Sequence, residues 1–290
     1  MKKNWILFLF FAAATILTFS SCSDDDNNDA PENTHLVSKE VQDAFHAKYP
    51  QAKDIEWELK GNCAVVDFDW DGKEHSAWFN PSSAVWYMTE TDIRYENLPE
   101  SVLAAYKAGE YADWRVDDVD MLTREGMETL YIIEVEKGEA EVDLFYSPTG
   151  ILVKTVVDTG QENDYDGFLP QTDVKDITDF ISQKYPNASI IEIDRENGMF
   201  EVEILDGRVC RDVYFNNKNE WIKTTWDVYY IDLPDAVKEA VKTKYQGYKI
   251  DDVNYVQTSS GDWYELDLEN ENTDHEIENI KITVDGSWIE

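Results

Sequence analysis

The chain has 290 residues, of which 61 are acidic and 25 are basic, so its formal net charge is −36. A negative field repels the phosphate backbone of nucleic acids, so a nucleic acid is not expected as a partner. It also repels anionic lipid headgroups, so attachment to a membrane would need an anchor. Cationic ligands, basic proteins and loosely held Ca²⁺ stay open, although solubility at a crowded surface also accounts for the acidity.

Residues 1–21 predict an export signal. Two lysines precede an apolar run that ends at Ser20, Ser21 and Cys22. The run is about 15 residues long, which is shorter than the roughly 20 that cross a bilayer, so we predict cleavage rather than a transmembrane anchor. Small residues before a cysteine resemble the lipobox of bacterial lipoproteins, although Phe19 departs from its usual Leu. The resemblance implies that Cys22 is acylated and holds the protein to a membrane.

Residues 22–35 predict an acidic, disordered tether. The run Ser23–Asp29 is polar and charged, and it cannot bury enough apolar surface to fold. A plain solvated tether is one interpretation. The run also resembles the export signal of Bacteroidetes-type lipoproteins, which implies an outer-membrane protein exposed at the cell surface.

The rest of the chain predicts four units, each with one helix followed by antiparallel strands. Apolar residues recur at helical spacing after Ser38, and Pro50 ends that helix. Strand-like runs separated by Gly, Asn and Asp follow it. The pattern predicts an α+β fold in which helices cover one face of each sheet and leave the other face solvated.

The four units form two duplicated lobes. Trp86 stands twelve residues before Leu98-Pro99, and Trp221 stands twelve residues before Leu233-Pro234. A polar, Gly-bearing stretch separates the halves. We therefore predict lobe 1 at residues 36–158, a linker at 159–167 and lobe 2 at residues 168–290.

A specific resemblance rests on Lys-Tyr-Pro-x-Ala, which occurs at Lys48–Ala52 and again at Lys184–Ala188. Tandem units with this motif and an acidic strand resemble the PepSY-like lipoproteins of Bacteroidetes. That family is similar in fold to β-lactamase inhibitory protein, itself a tandem of such units. The resemblance implies inhibition of a β-lactamase or protease only as an analogy, because a fold does not carry its function.

The sequence contains no convincing catalytic or metal site, and we expect no cofactor. Asp67–Gly72 mimics the opening of a calcium loop, but Trp78 stands where that loop needs Glu, so a hairpin turn is favoured. The recurring Asp117-Asp118 pair favours a strand entry over acid–base chemistry. Cys63 and Cys210 fall at non-equivalent places in the two halves, so we predict no disulfide between them.

Trp78 and Tyr214 are the candidate binding residues. Aligning the halves makes them equivalent, and alternation along a strand places both on the sheet face away from the helices. Exposed aromatic residues on an open face are typical binding anchors. Packing between the lobes is the alternative.

These observations favour a surface-anchored, non-enzymatic lipoprotein that recognises a protein or peptide through its open sheet face, with a cationic partner among the options. An inhibitor is one form of this function. Capture of a glycan, a small ligand or Ca²⁺ is the alternative, and an enzyme is the weaker interpretation. The partner's identity and the oligomeric state stay open.

Overall fold

The computed structural model of the protein describes residues 33–157, 168–169, 174–270, 273 and 275–289. The predicted signal peptide, Cys22, most of the predicted tether and the linker 159–167 lie outside the described residues. A 3-10 turn at Thr34–Leu36 overlaps the last residues of the predicted tether.

The first half forms one antiparallel sheet of eight strands, in which each strand pairs with its sequence neighbour. The two predicted units of this half therefore share a sheet, because β4 pairs directly with β5. The elements are α1 (Lys39–Lys48), β1 (Lys53–Lys60), β2 (Cys63–Trp70), β3 (Lys73–Phe79), β4 (Trp86–Asp92), α2 (Glu100–Ala108), β5 (Arg115–Arg124), β6 (Leu130–Lys137), β7 (Ala140–Tyr146) and β8 (Leu152–Val157).

The second half repeats this plan with a sheet of seven strands. Within the residues that the structure describes, its last unit has three strands where four were predicted, and a single bridge between Ile282 and Trp288 follows them. The α+β fold is confirmed, while the domain boundaries stay predictions. The elements are α3 (Lys175–Lys184), β9 (Ala188–Glu196), β10 (Met199–Asp206), β11 (Val209–Phe215), β12 (Trp221–Asp227), α4 (Asp235–Lys244), β13 (Tyr248–Thr258), β14 (Asp262–Asn270) and β15 (Glu276–Ile282).

Each helix packs its apolar side on one face of a sheet. The Ser38 side chain accepts a hydrogen bond from the Val41 amide at 3.4 Å, which caps α1 as predicted. Val41 and Phe45 then lie fully buried against Ala77 and Phe79 of β3. The alternate residues of each strand consequently face away from the helices.

The Lys-Tyr-Pro motif joins each first helix to its sheet. Thr89 accepts a hydrogen bond from the Trp86 indole at 2.9 Å and shares one of 2.5 Å with the Tyr49 hydroxyl. The Lys48 ammonium lies 3.5 Å from the centre of the Trp86 ring. The motif therefore has a structural role. The second half repeats the arrangement with Lys184, Tyr185, Trp221 and Thr224.

The predicted Asp-Gly hairpin turn is present in the first half and differs in the second. Asp71 and Gly72 form the β2–β3 turn, and both have the positive φ that a type I′ turn needs. The equivalent turn in the second half is Gly207-Arg208, one residue later than predicted, and there only Gly207 has positive φ. Asp117 is the third residue of β5, near the predicted strand entry, and it lies at a β-bulge that was not predicted.

Candidate functional site

Trp78 lies on the helix-free face, as its register predicted, but its ring is buried. Only 7 % of the residue is exposed, because a cluster from both halves of the chain encloses it. Phe168, Ile191 and Leu205 of the second half cover this apolar part of the first sheet. The exposed aromatic surface expected at Trp78 is therefore wrong, and packing between the lobes accounts for the residue.

Polar contacts also stabilise this junction between the two halves of the chain. The buried Arg124 guanidinium donates hydrogen bonds to the Ile191 carbonyl at 2.5 Å and to the Glu128 carbonyl at 3.0 Å. The Glu128 amide donates to the Ile190 carbonyl at 2.9 Å. Burial lowers the pKa of Arg124 to about 10, which still leaves it charged at neutral pH. A buried charge held by two carbonyls fixes the register between the halves.

An acidic row occupies the other part of the helix-free face of the first sheet. Its members are opposed across strands, Asp92 facing Asp120, Asp118 facing Glu134, and Glu134 facing Asp143. The neighbouring residues Val119, Ile133, Val135, Val142 and Leu144 pack toward α2, which sets the row on the opposite side. Like charges directly opposite each other destabilise a sheet, so this register costs stability.

The closely spaced carboxylates of this row have raised pKa values. Burial, with added repulsion from Asp143 and other neighbouring carboxylates, raises the pKa of Glu134 to about 7. Burial and the charges of Glu90 and Asp118 raise the pKa of Asp120 well above its ordinary value. Part of the row is therefore protonated near neutral pH, and its charge responds to whatever binds there.

The second sheet also carries an acidic row, which lies on β9, β10 and β11. Asp194 faces Glu201, Glu192 faces Glu203, and Glu203 faces Asp212. Burial and the charges of Glu192 and Asp212 raise the pKa of Glu203 to about 7. Burial and the Glu201 charge raise the pKa of Asp212 to about 6. The ammonium of Lys154, from the first half, pairs with Glu192.

Tyr214 lies half-buried at the end of this second row. Its hydroxyl donates to the Glu201 carboxylate at 2.9 Å, and the Lys223 ammonium lies 4.5 Å from its ring centre. A surface cleft of about 650 Å³ adjoins the ring, with Arg195 and Met199 in its wall. Tyr214, unlike Trp78, thus borders accessible space.

The acidic rows are the feature that sequence reasoning missed. A detectable signal was present, because acidic residues alternate with apolar ones in Glu201–Glu203 and Glu134–Glu136. Alternation puts such carboxylates on one face, but only strand pairing shows that they oppose each other. Cys63 is buried and Cys210 is half-buried, and no disulfide joins these two cysteines. Within the described ranges, no group of three His, Cys, Asp or Glu residues is arranged to hold a metal ion.

No helix in the described part of the chain has the length and apolarity to cross a bilayer. No functionally curated protein matches the sequence. A BLIP-like protein of Bacteroides fragilis is 38% identical over 44% of this chain and 90% of its own, with a TM-score of 0.42. A DUF2874 family protein of Bacteroides ovatus is 30% identical over 45% of this chain and 94% of its own, with a TM-score of 0.42.

A Bacteroides eggerthii protein, described as one of the "putative periplasmic proteins", is 27% identical over 44% of this chain and 93% of its own, with a TM-score of 0.42. One family model, described as "Putative beta-lactamase-inhibitor-like, PepSY-like", matches residues 62–154, 164–210 and 198–286. These ranges cover more than half of the sequence, which confirms the resemblance drawn from the Lys-Tyr-Pro motif. The chain belongs to the PepSY-like, beta-lactamase-inhibitor-like family.

Proposed function

We propose that the protein is a non-enzymatic lipoprotein, acylated at Cys22 on the cell surface, that binds a basic segment of a protein or peptide. The binding surface is formed by the acidic rows on the helix-free faces of the two sheets. The observation that supports it is the repeated opposition of carboxylates across neighbouring strands, as in Glu134 and Asp143, or Glu203 and Asp212.

A cationic partner relieves the repulsion that this register builds in. Each folded sheet holds carboxylates opposite carboxylates, and part of that cost disappears when an Arg or Lys side chain lies between them. An extended basic segment suits this surface, because alternate side chains of a strand share one face and meet successive carboxylates. The function is then occlusion or capture without turnover.

The raised pKa values of Glu134 and Glu203 determine how the affinity for a cationic partner changes with pH. Both groups hold protons below about pH 7, and a cation favours their ionised forms. Binding therefore releases protons, and the affinity rises as the pH increases from about 6 to about 8.

The first test uses a capped peptide of alternating Arg and Gly, titrated calorimetrically into the mature protein at about pH 8. We expect the variant Glu134→Gln/Glu203→Gln to bind about five- to thirtyfold more weakly, as two partly buried charge contacts are worth about 1 to 2 kcal/mol. Glu40→Gln/Glu96→Gln is the matched control, because it removes two exposed carboxylates elsewhere.

Equal weakening in both variants would show only a general response to net charge and would end the proposal of a specific acidic surface. A peptide of alternating Glu and Gly should show no binding to any of the proteins, since the rows repel it. An affinity that falls between pH 6 and pH 8 would also contradict the proposal.

The cleft beside Tyr214 favours one second candidate, the capture of a glycan or other small ligand. An aromatic ring with adjoining Glu201 and Lys223 offers stacking and hydrogen bonds of both kinds. Saturable binding of neutral oligosaccharides that is lost in Tyr214→Ala, with no binding of the Arg-Gly peptide, would favour this function.

A further inference from the structure

The turn before α4 exposes three large apolar side chains in succession. Tyr229 is 82% exposed, Tyr230 57% and Ile231 81%. We name these three residues the tip. Single exposed apolar residues are common on protein surfaces, but adjacent ones at the end of one turn form a contact surface.

The first half of the chain shows that folding does not require the tip. Its equivalent turn carries Arg94, Tyr95 and Glu96, and the two exposed positions are thus charged. The backbone is nearly the same, with φ −69° and ψ 143° at Arg94 against φ −66° and ψ 141° at Tyr229. Tyr95 packs against the core beside Tyr106, so this turn presents no apolar surface.

The structure also holds the tip in place before any partner arrives. The Lys238 ammonium donates to the Ile231 carbonyl at 3.1 Å and lies 5.1 Å from the centre of the Tyr230 ring. The Asp232 amide donates to the Tyr229 carbonyl at 2.9 Å. An ordered turn loses little conformational freedom on binding, which favours its use as an anchor.

The charges around the tip indicate the kind of partner. Asp227, Asp232 and Asp235 are exposed on either side of it. Carboxylates repel anionic headgroups, so a lipid surface is disfavoured. Tyr is enriched among the residues that dominate protein interfaces, and acidic flanks complement a basic rim.

We infer that the tip inserts into an apolar pocket, rimmed by Lys or Arg, on a partner protein. This contact is separate from the acidic rows and does not depend on them. It gives lobe 2 a binding element that lobe 1 lacks, which explains why the duplicated turns differ in side chains and agree in backbone.

The test replaces the tip with the residues of the first half, as Tyr229→Arg/Ile231→Glu. The two changes cancel in charge, and their backbone is already accommodated at Arg94–Glu96. Photocrosslinking is done on intact cells with benzoyl-phenylalanine in place of Ile231, and in place of Glu96 as the matched control. The captured protein is then purified, and its Kd is measured against the wild type and the double variant.

Support requires a protein that crosslinks at position 231 and not at 96, and that binds the double variant at least about tenfold more weakly, as expected for an interface anchor. The inference is overturned if no protein crosslinks specifically at 231, or if Kd is unchanged. It is also overturned if phosphatidylethanolamine–phosphatidylglycerol vesicles bind the wild type and not the variant, which would assign the tip to lipid. The Arg-Gly peptide should bind both proteins equally, so failure here leaves the proposed function standing.

Discussion

Glu134 shows how a single residue can serve binding at the expense of folding. Its side chain is half-buried between Asp118 and Asp143, and its pKa rises from 4.5 to about 7. Ionisation is therefore harder in the folded chain than in the unfolded one. Below about pH 4.5 both states are protonated, and the group contributes nothing to the pH dependence of stability. Between about pH 4.5 and 7 the unfolded state ionises first, so stability falls as the pH rises.

The variant Glu134→Gln should consequently be more stable than the wild type at pH 8. We expect a gain of about 1 to 2 kcal/mol in the free energy of unfolding, reduced from the full shift because the residue is partly solvated. The gain should nearly vanish at pH 4.5. Urea unfolding at the two pH values measures it, with Glu40→Gln as the control. A gain of equal size at both pH values would contradict the assigned pKa.

For Trp78 and Tyr214, the sequence predicted the sheet face but not the exposure of the side chain. Alternation along the strand places both on the helix-free face, and the structure agrees. Their exposure differs because Phe168 and Ile191, from distant parts of the chain, cover Trp78. A strand pattern reports which face a residue occupies, but it holds no information about what docks on that face.

The turns that close each lobe show how elements constrain one another. Gly150 has φ +79°, and a Cβ added there would lie 2.4 Å from the Ser101 carbonyl oxygen at the start of α2. Gly286 repeats the arrangement with φ +85° and 2.7 Å to the Ala236 carbonyl oxygen in α4. The turn backbone thus rests directly on the first turn of the helix in both halves.

The substitution Gly150→Ala should destabilise the protein by about 3 kcal/mol or more, since it combines positive φ with a clash against backbone. Gly138→Ala is the matched control, because φ there is +74° and the added Cβ meets open space. It should cost only about 1 kcal/mol. Urea denaturation of both variants measures the difference. Equal losses would show that the turn can move away from the helix.

Helices and strands were predictable because local chemistry determines them. Ser38 caps α1, and Asp71-Gly72 closes the β2–β3 hairpin, as the sequence indicates. The bulges at Asp117 and Asp251 were not predictable from the residues of β5 or β13 alone. A bulge depends on the register of two strands together, which one strand's sequence does not contain.

At the scale of the whole molecule, charge and anchoring act together. A chain with net charge −36 is repelled by anionic lipid, so attachment depends on the proposed acyl group at Cys22. In the proposed function, the Asp24–Asp26 run then directs the anchored protein outward. The two steps are separable by mutation.

The variant Cys22→Ala should shift most of the protein from the membrane fraction to the soluble fraction, because no acyl chain is added. Asn in place of Asp24, Asp25 and Asp26 should leave it in the membrane fraction but protected from protease added to intact cells. Fractionation and protease digestion of whole cells measure both outcomes. Membrane retention of Cys22→Ala would show that another segment anchors the chain.

The junction at Arg124 affects how readily the second sheet can pair with another protein molecule. β9 is the outermost strand of its sheet, and bare edge carbonyls invite pairing with another chain. Here the Ile190 and Ile191 carbonyls are occupied by the Glu128 amide and the Arg124 guanidinium. Lobe 1 thereby occupies part of the open edge of lobe 2, and the duplicated chain blocks at this point a backbone surface on which a neighbouring molecule could otherwise add a strand.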